Sequence, residues 1–377
     1  KKHSLKAKWL VDASGRASLL KRKLALKKKL RHNINAAWFR IAAKINVDDW
    51  SQNAEWQQRN EHSRYLSTNH LYGKGYWTWL IPLSSGSTSI GIVADERFHS
   101  FKSINTFEKA REWLKKHEPQ CSAMVEENLD CFQDFLALKQ FSYSCKQLYS
   151  ADGWCLTGDS GMFLDPLYSP GSDFIGMNNG FITDIISKSL AGQNISVEVK
   201  QHERTFRSIF AGFLPIYEDQ YPTMANSKVM SSKFIWDIMM YWGGIGPLFF
   251  KQKLTDLKFM ELVRPILSEF FILNVSLQNL FRDWAAIDDA QKHAGGIFLD
   301  YAEIPLLQQL NRNLLEFQED EALLQQLRKN IKSAEELAAE IYLEALKYYP
   351  ELKDENVDLS NSQAGHLKEF YDEFTIC

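Results

Sequence analysis

The residues best suited to chemistry lie between Leu156 and Phe181, in the run LTGDSGMFLDPLYSPGSDFIGMNNGF. Gly158-Asp159 follows the short apolar run Trp154-Cys155-Leu156, which reads as a strand. A loop then carries Asp165-Pro166 and Ser169-Pro170-Gly171-Ser172, and an apolar segment of helical character runs from Phe174 to Leu190. A carboxylate just past a strand can accept hydrogen bonds from sugar-like hydroxyls. A glycine-bearing loop turns backbone N–H groups outward, and a helix N-terminus adds partial positive charge, so the layout suits a nucleotide or an anion. The same residues can also make an ordinary turn, because Gly-Asp is a common turn pair. A second stretch has the same grammar. Trp9-Leu10-Val11 reads as a strand, Asp12-Ala13-Ser14-Gly15-Arg16 as a phosphate- or ribose-facing turn, and Ala17 to about Leu30 as a helix. A helix-capping turn is the competing reading, since Asp and Ser cap well. The third stretch is Trp77-Thr78-Trp79-Leu80-Ile81-Pro82. Residues i and i+2 of a strand share a face, so Trp77 and Trp79 form one indole wall, and Pro82 ends the ladder. Packing in a sheet core is the other use of such a pair.

The elements that must position these residues are legible as periodicities. Asn35 to Val47 is strand-like, and Tyr76 to Leu83 and Ser87 to Ala94 form a hairpin through Ser84-Ser85-Gly86. Phe141 to Leu148 reads as a further strand. Ile104 to Cys131 has helical spacing, with Phe107, Ala110, Trp113 and Leu114 on one face. Hairpin strands with an inserted helical pair give an antiparallel sheet in an α+β arrangement, serving as a substrate-side wall. The basic segment Ser18 to Arg31 reads as a helix with a solvated face. Residues 200–290 are aromatic-rich and mostly helical, either core or a lid over a cavity. Ile304 to Tyr349 reads as two long amphipathic helices that pack on the body or pair between subunits. Lys353 to Cys377 is acidic and reads as loosely held.

Bulk properties exclude several classes. The 377 residues suggest two or three domains, and 45% apolar content with a net charge of −3 is a globular composition without a charge bias toward nucleic acid. Five cysteines without CxxC spacing point to reduced thiols in the cytoplasm. The nine histidines show no HExxH spacing, so no metal is expected. The most apolar stretch, Phe234 to Phe250, is broken by Asp237, Gly243, Gly244, Gly246 and Pro247, too short and interrupted for a membrane span.

GDSGMFLDPLYSPGSDFI, DASGR and the W-x-W-x-I-P run Trp77 to Pro82, in that family's order over roughly residues 5 to 190, resemble the flavin-dependent halogenases, two-component FAD enzymes. The resemblance implies a partial FAD-binding, Rossmann-like domain made of 1–33 and 151–195. A substrate-side antiparallel sheet would span 34–150, and a helical region 196–377. It implies that Asp12, Gly15, Arg16, Gly158, Asp159, Asp165 and Pro166 contact FAD, used as FADH2 with O2 and halide. Ser169, Gly171 and Ser172 would form the halide-side loop, although Pro170 lacks an N–H there. Trp77, Trp79 and Pro82 would screen the flavin from an electron-rich aromatic substrate, free or carrier-bound, so that hypohalous acid has to travel to it. A separate flavin reductase would be a partner, and a homodimer is compatible. A monooxygenase on the same scaffold and a non-catalytic remnant are the alternatives. The family's G-x-G-x-x-G fingerprint and its lysine are expected upstream of Lys1, so the chain reads as the later part of a longer protein. Lys44 and Lys74 match no motif of the family.

Overall fold

The computed structural model describes residues 4–60, 62–288 and 298–353. In chain order, β1 (Leu10–Asp12), α1 (Leu19–Lys23) and β2 (Lys27–Lys29) come first. They are followed by β3 (Ile34–Ile41), α2 (Ala54–Gln58), β4 (Asn69–Gly73), β5 (Tyr76–Pro82), β6 (Thr88–Asp95), α3 (Phe107–His117), α4 (Pro119–Glu127) and β7 (Phe132–Leu138). Then come β8 (Tyr143–Cys145), β9 (Tyr149–Ser150), β10 (Trp154–Leu156) and α5 (Pro170–Leu190). The rest is helical: α6 (Ser196–Tyr217), α7 (Ser227–Met240), α8 (Gly246–Phe250), α9 (Leu257–Ile287), α10 (Pro305–Leu315) and α11 (Asp320–Tyr348). Three sheets result: a large one of order β4-β5-β6-β3-β7, a smaller one of order β1-β10-β9, and the pair β2-β8.

Period-two alternation gives the large antiparallel sheet two different faces. Ala37, Phe39, Ile41, Leu80, Ile90 and Ile92 pack against Trp113, Leu114 and Val125 of α3 and α4. Ala36, Trp77 and Val93 point the other way, into a second core. With both faces covered, β5 and β6 read as nearly unbroken apolar runs. The expected hairpin forms, closed by Leu83 N–H to the Ser87 carbonyl (2.9 Å). The second core is continuous from Ile34 through Leu156, Phe174 and Phe181 to Trp236, Phe281 and Ala345, so the helical region and the small sheet share one interior.

Three expectations needed correction. The basic helix stops at Lys23 instead of running to residue 30. Ala25 turns left-handed (φ +53), and Leu26 N–H bonds to the Lys21 carbonyl at 3.0 Å, a Schellman-type stop without its usual glycine. Lys27–Lys29 then pair antiparallel with Tyr143–Cys145. The strand expected over Phe141 to Leu148 is therefore only β8, and it joins β2 rather than the large sheet. The fifth strand of that sheet is β7, whose half-exposed edge sequence FQDFLAL carries a weak signal. The strand begun near Asn35 ends at Ile41, where its pairing with β7 slips at Arg40. α10 and α11 form as expected, and the acidic stretch after Lys353 lies outside the described residues.

Candidate active site

β1 and β10 run parallel with Asp12 opposite Leu156, so both strands end at the same edge. Ligands of open parallel sheets gather at such carboxyl ends. Each strand leads into a short 3-10 turn opened by a left-handed glycine, Gly15 (φ +60) and Gly158 (φ +57). Both turns rest on backbone pairing: Thr157 N–H bonds to the Asp12 carbonyl at 3.0 Å, and Ser160 Oγ donates to the same carbonyl. The turns bring Arg16 Nε to 3.7 Å from the Asp159 carboxylate. α5 is docked against β10 by its paired asparagines. Asn178 Nδ2 donates to the Leu156 carbonyl (3.0 Å), and Thr157 Oγ1 donates to Asn179 Oδ1 (2.7 Å). A narrow cleft remains between turn and helix, lined by Gly158, Asp159, Asp165, Pro170, Gly171 and Phe174.

The acidic residues differ sharply. Asp12 is buried, and its two oxygens accept from Ser14 N–H (2.9 Å) and Leu20 N–H (2.7 Å). Burial pushes its carboxyl up, and the Ser14 side chain, these amides and Lys21 together more than offset that, leaving it below its usual value. Its geometry is that of a bracket for the turn. Asp159 is 33% exposed, and no protein donor among the described residues hydrogen-bonds its carboxylate. Burial raises it, opposed by Arg16 and Lys21. Asp165 is enclosed and accepts from Tyr221 Oη (2.8 Å) and Leu167 N–H (2.9 Å), with His32 Nε2 at 2.6 Å. Pro166 follows it half-buried.

Pro170 sits at the first position of α5, where a missing N–H costs nothing within the helix. Gly171 and Ser172 supply first-turn amides, which have no acceptor inside the helix, and a Cβ on Gly171 would meet nothing. Tyr168 (φ +64) and Ser169 (φ +54) are both left-handed before it, backbone strain of the kind that clusters at functional loops.

The indole wall stands beside this loop. Trp77 and Trp79 share a face of β5 with centroids 5.6 Å apart. Trp77 Nε1 donates to Tyr221 Oη at 3.0 Å, so two hydrogen bonds connect the wall to Asp165. Trp79 donates to Ser89 Oγ (3.2 Å) and lies flat over Gly91, where a Cβ would come within 2.1 Å of its ring. Pro82 is the last residue of β5, opposite Thr88 at the hairpin end of the sheet.

Sequence reading missed four residues here. Lys21 is buried, donates to the Gly161 carbonyl (3.0 Å) and sits 3.9 Å from the Tyr143 ring centroid; burial pushes its amine down to about 8. Its neighbours in a basic run disguised it. His32 and Tyr221 carry no local signal at all. His70, edge-on to Trp77 at 5.0 Å and pushed by burial to about 4, could have been found from its position directly across from Trp79 on the hairpin partner strand.

No family model matches the chain. It is 25% identical over 186 residues to the flavin-dependent halogenase chlA of Dictyostelium discoideum, covering 48% of this chain and 30% of that protein. It is 29% identical over 200 residues to a 1H-pyrrole-2-carbonyl-[peptidyl-carrier protein] brominase of Pseudoalteromonas luteoviolacea, covering 51% and 45%. The chain thus spans less than half the length of these relatives. Among solved structures, halogenase PltM in complex with phloroglucinol and FAD superposes with a TM-score of 0.55 at 16% identity, over 87% of this chain and 64% of that one. Curated relatives and a shared α+β fold with a helical C-terminal part agree: this chain is similar to the flavin-dependent halogenases over about half of its length.

Proposed function

We propose that this chain carries part of an FAD site and the screen of a flavin-dependent halogenase acting on an electron-rich aromatic. One observation carries the reading: Trp77 is joined through Tyr221 to Asp165, on the loop that opens α5. The residues present fit the cofactor. Asp159 is an acceptor with unfilled capacity at a parallel-strand end, and Gly15 and Gly171 have open space where a side chain would stand. Asp159 would take ribityl or ribose hydroxyls and Arg16 the pyrophosphate, with Gly158 allowing close approach. Asp12 would act by bracketing its turn, and Asp165 with Pro166 by fixing the loop. Reduced FAD supplies the electrons with which O2 is activated to oxidise halide. The Gly171 and Ser172 amides, at the positive end of α5, would hold the halide beside Ser169. Trp77 and Trp79 would keep the aromatic substrate off the flavin, with Pro82 ending that strand. On this reading the described parts of 1–33 and 151–195 belong to the flavin part, with β8 paired to β2 beside them, the five-stranded sheet within 34–150 forms the wall, and the described helices after residue 196 cover the substrate.

The substrate class is a pyrrole, phenol or indole, free or on a carrier; the similarity to a carrier-dependent pyrrole brominase supports the carrier-bound form. A separate reductase would deliver FADH2 in the cytoplasm. The described residues contain no helix long and apolar enough to cross a membrane. Incubation with FADH2, O2, bromide and a test aromatic is expected to give a brominated product. A hydroxylated product without halogen overturns this reading in favour of a monooxygenase, the alternative supported by the missing amide at Pro170. FAD titration into this chain separates both from a remnant, which would bind none.

A further inference from the structure

The face of the sheet that carries the indole pair is held from a distant part of the chain. We propose that Tyr221 is a positioning residue that sets where Trp77 stands relative to the Asp165 loop; this rests on the screen reading above. Tyr221 opens the 3-10 turn Tyr221–Ala225 between α6 and α7. Its carbonyl accepts from Gly75 N–H at 3.0 Å, pinning the β4–β5 turn where Gly75 is left-handed (φ +82). Its hydroxyl accepts from Trp77 Nε1 (3.0 Å) and donates to Asp165 Oδ2 (2.8 Å). Tyr221 is 0%, Trp77 2% and Asp165 2% exposed, so water does not compete for these bonds.

The polarity of the relay follows from proton count. A phenol has one proton, and an indole N–H can only donate. The carboxylate of Asp165 can only accept, so the Tyr221 proton points at Asp165 and its lone pair at Trp77. Turning the indole away would leave the buried Trp77 N–H without its acceptor and the buried Tyr221 oxygen without its donor. The ring of His70 packs edge-on against the same indole, and Tyr217 Oη donates to the Leu167 carbonyl at 3.1 Å, so a second tyrosine of the helical region reaches the same loop. The helical region therefore does more than roof a cavity: the Tyr221 hydroxyl bridges wall and loop, and the Tyr221 carbonyl and Tyr217 hydroxyl hold each of them beside it.

The test uses the full chain and two readouts. Ultraviolet resonance Raman spectra of wild type minus Trp77→Phe isolate the Trp77 indole, without cofactor. Tyr221→Phe is expected to shift its N–H marker toward weak hydrogen bonding. With FADH2 and O2, Tyr221→Phe is expected to raise peroxide release about tenfold, the rate equivalent of one hydrogen bond, without changing the FADH2 concentration that gives half-maximal rate. Trp77→Phe should do the same, and the double variant should do no more than Trp77→Phe alone, because both act through one ring. An unchanged N–H marker, or effects that multiply in the double variant, overturns the proposal. Should Tyr221→Phe not fold, Asp165→Asn serves instead. Its amide offers an N–H to the phenol oxygen in competition with Trp77, so the same marker shift is expected, and its absence is equally fatal. If the wild type brominates nothing, the functional reading falls while the Raman comparison still decides the tie.

Discussion

Asp159 and Asp165 lie on one loop and meet different surroundings. Asp165 is enclosed by His32, Tyr221 and the Leu167 amide, whereas Asp159 keeps its accepting capacity toward the cleft. Asp159→Asn is accordingly expected to weaken FAD binding by about tenfold while leaving the melting temperature nearly unchanged, read by titration and calorimetry. His70 gives a pH prediction. Burial holds its folded pKa near 4 against 6.5 for the free group. Between those values the unfolded chain takes up a proton that the folded chain refuses, so stability falls on acidification from pH 6.5 to 4, by at most about 3 kcal/mol. His70→Gln should flatten that window in urea titrations. Lys21 acts at the other end. Its amine is lowered to about 8 from 10.5, so the unfolded chain holds the extra proton between these values and stability rises with pH there; Lys21→Met should abolish the rise. Gly158-Asp159 and Asp165-Pro166 could be read from sequence as lying on the loop between β10 and α5, where the structure has them. Which carboxylate faces outward could not, because that depends on His32 and Tyr221, 133 and 56 positions from Asp165.

At the scale of elements, the parts read correctly were those with a strong period: the β5–β6 hairpin, α5 and the long C-terminal helices. The misread segment Ser18 to Arg31 failed for a physical reason. Its charges are compatible with a helix face, but a left-handed Ala25 and a distant partner strand decide the outcome, and neither is encoded locally. The seat of Trp79 offers a direct test. Gly91→Val would drive a side chain into that ring, costing about 2 kcal/mol in overpacking and moving the indole, visible as a changed tryptophan emission. Between helices, Lys228 of α7 reaches Glu344 of α11 at 2.6 Å with both nearly fully buried. Glu344→Leu leaves a buried ammonium without that carboxylate and should cost about 3–5 kcal/mol, whereas Lys228→Met with Glu344→Leu should recover most of it in denaturant midpoints.

For the whole molecule, the continuous core means that the small β1-β10-β9 sheet with α5 and the helical region cannot be separated without exposing Phe174, Phe181, Ile185 and Trp77. A version ending at residue 195 is therefore expected to lack a cooperative unfolding transition and to bind a hydrophobic dye. A second, independent cooperative melt in the intact chain would count against this. That unity was hidden in the sequence, where the aromatic-rich helices could equally have formed a detached layer. The Lys27–Lys29 strand bears on the fate of the molecule in a crowded solution. Its three exposed ammonium groups line an outer strand that would otherwise present open amides and carbonyls to any passing chain. Like charges stacked against like charges make fibril-style growth from that border unfavourable, so the lysines expected on a solvated helix face serve instead as a barrier to self-association.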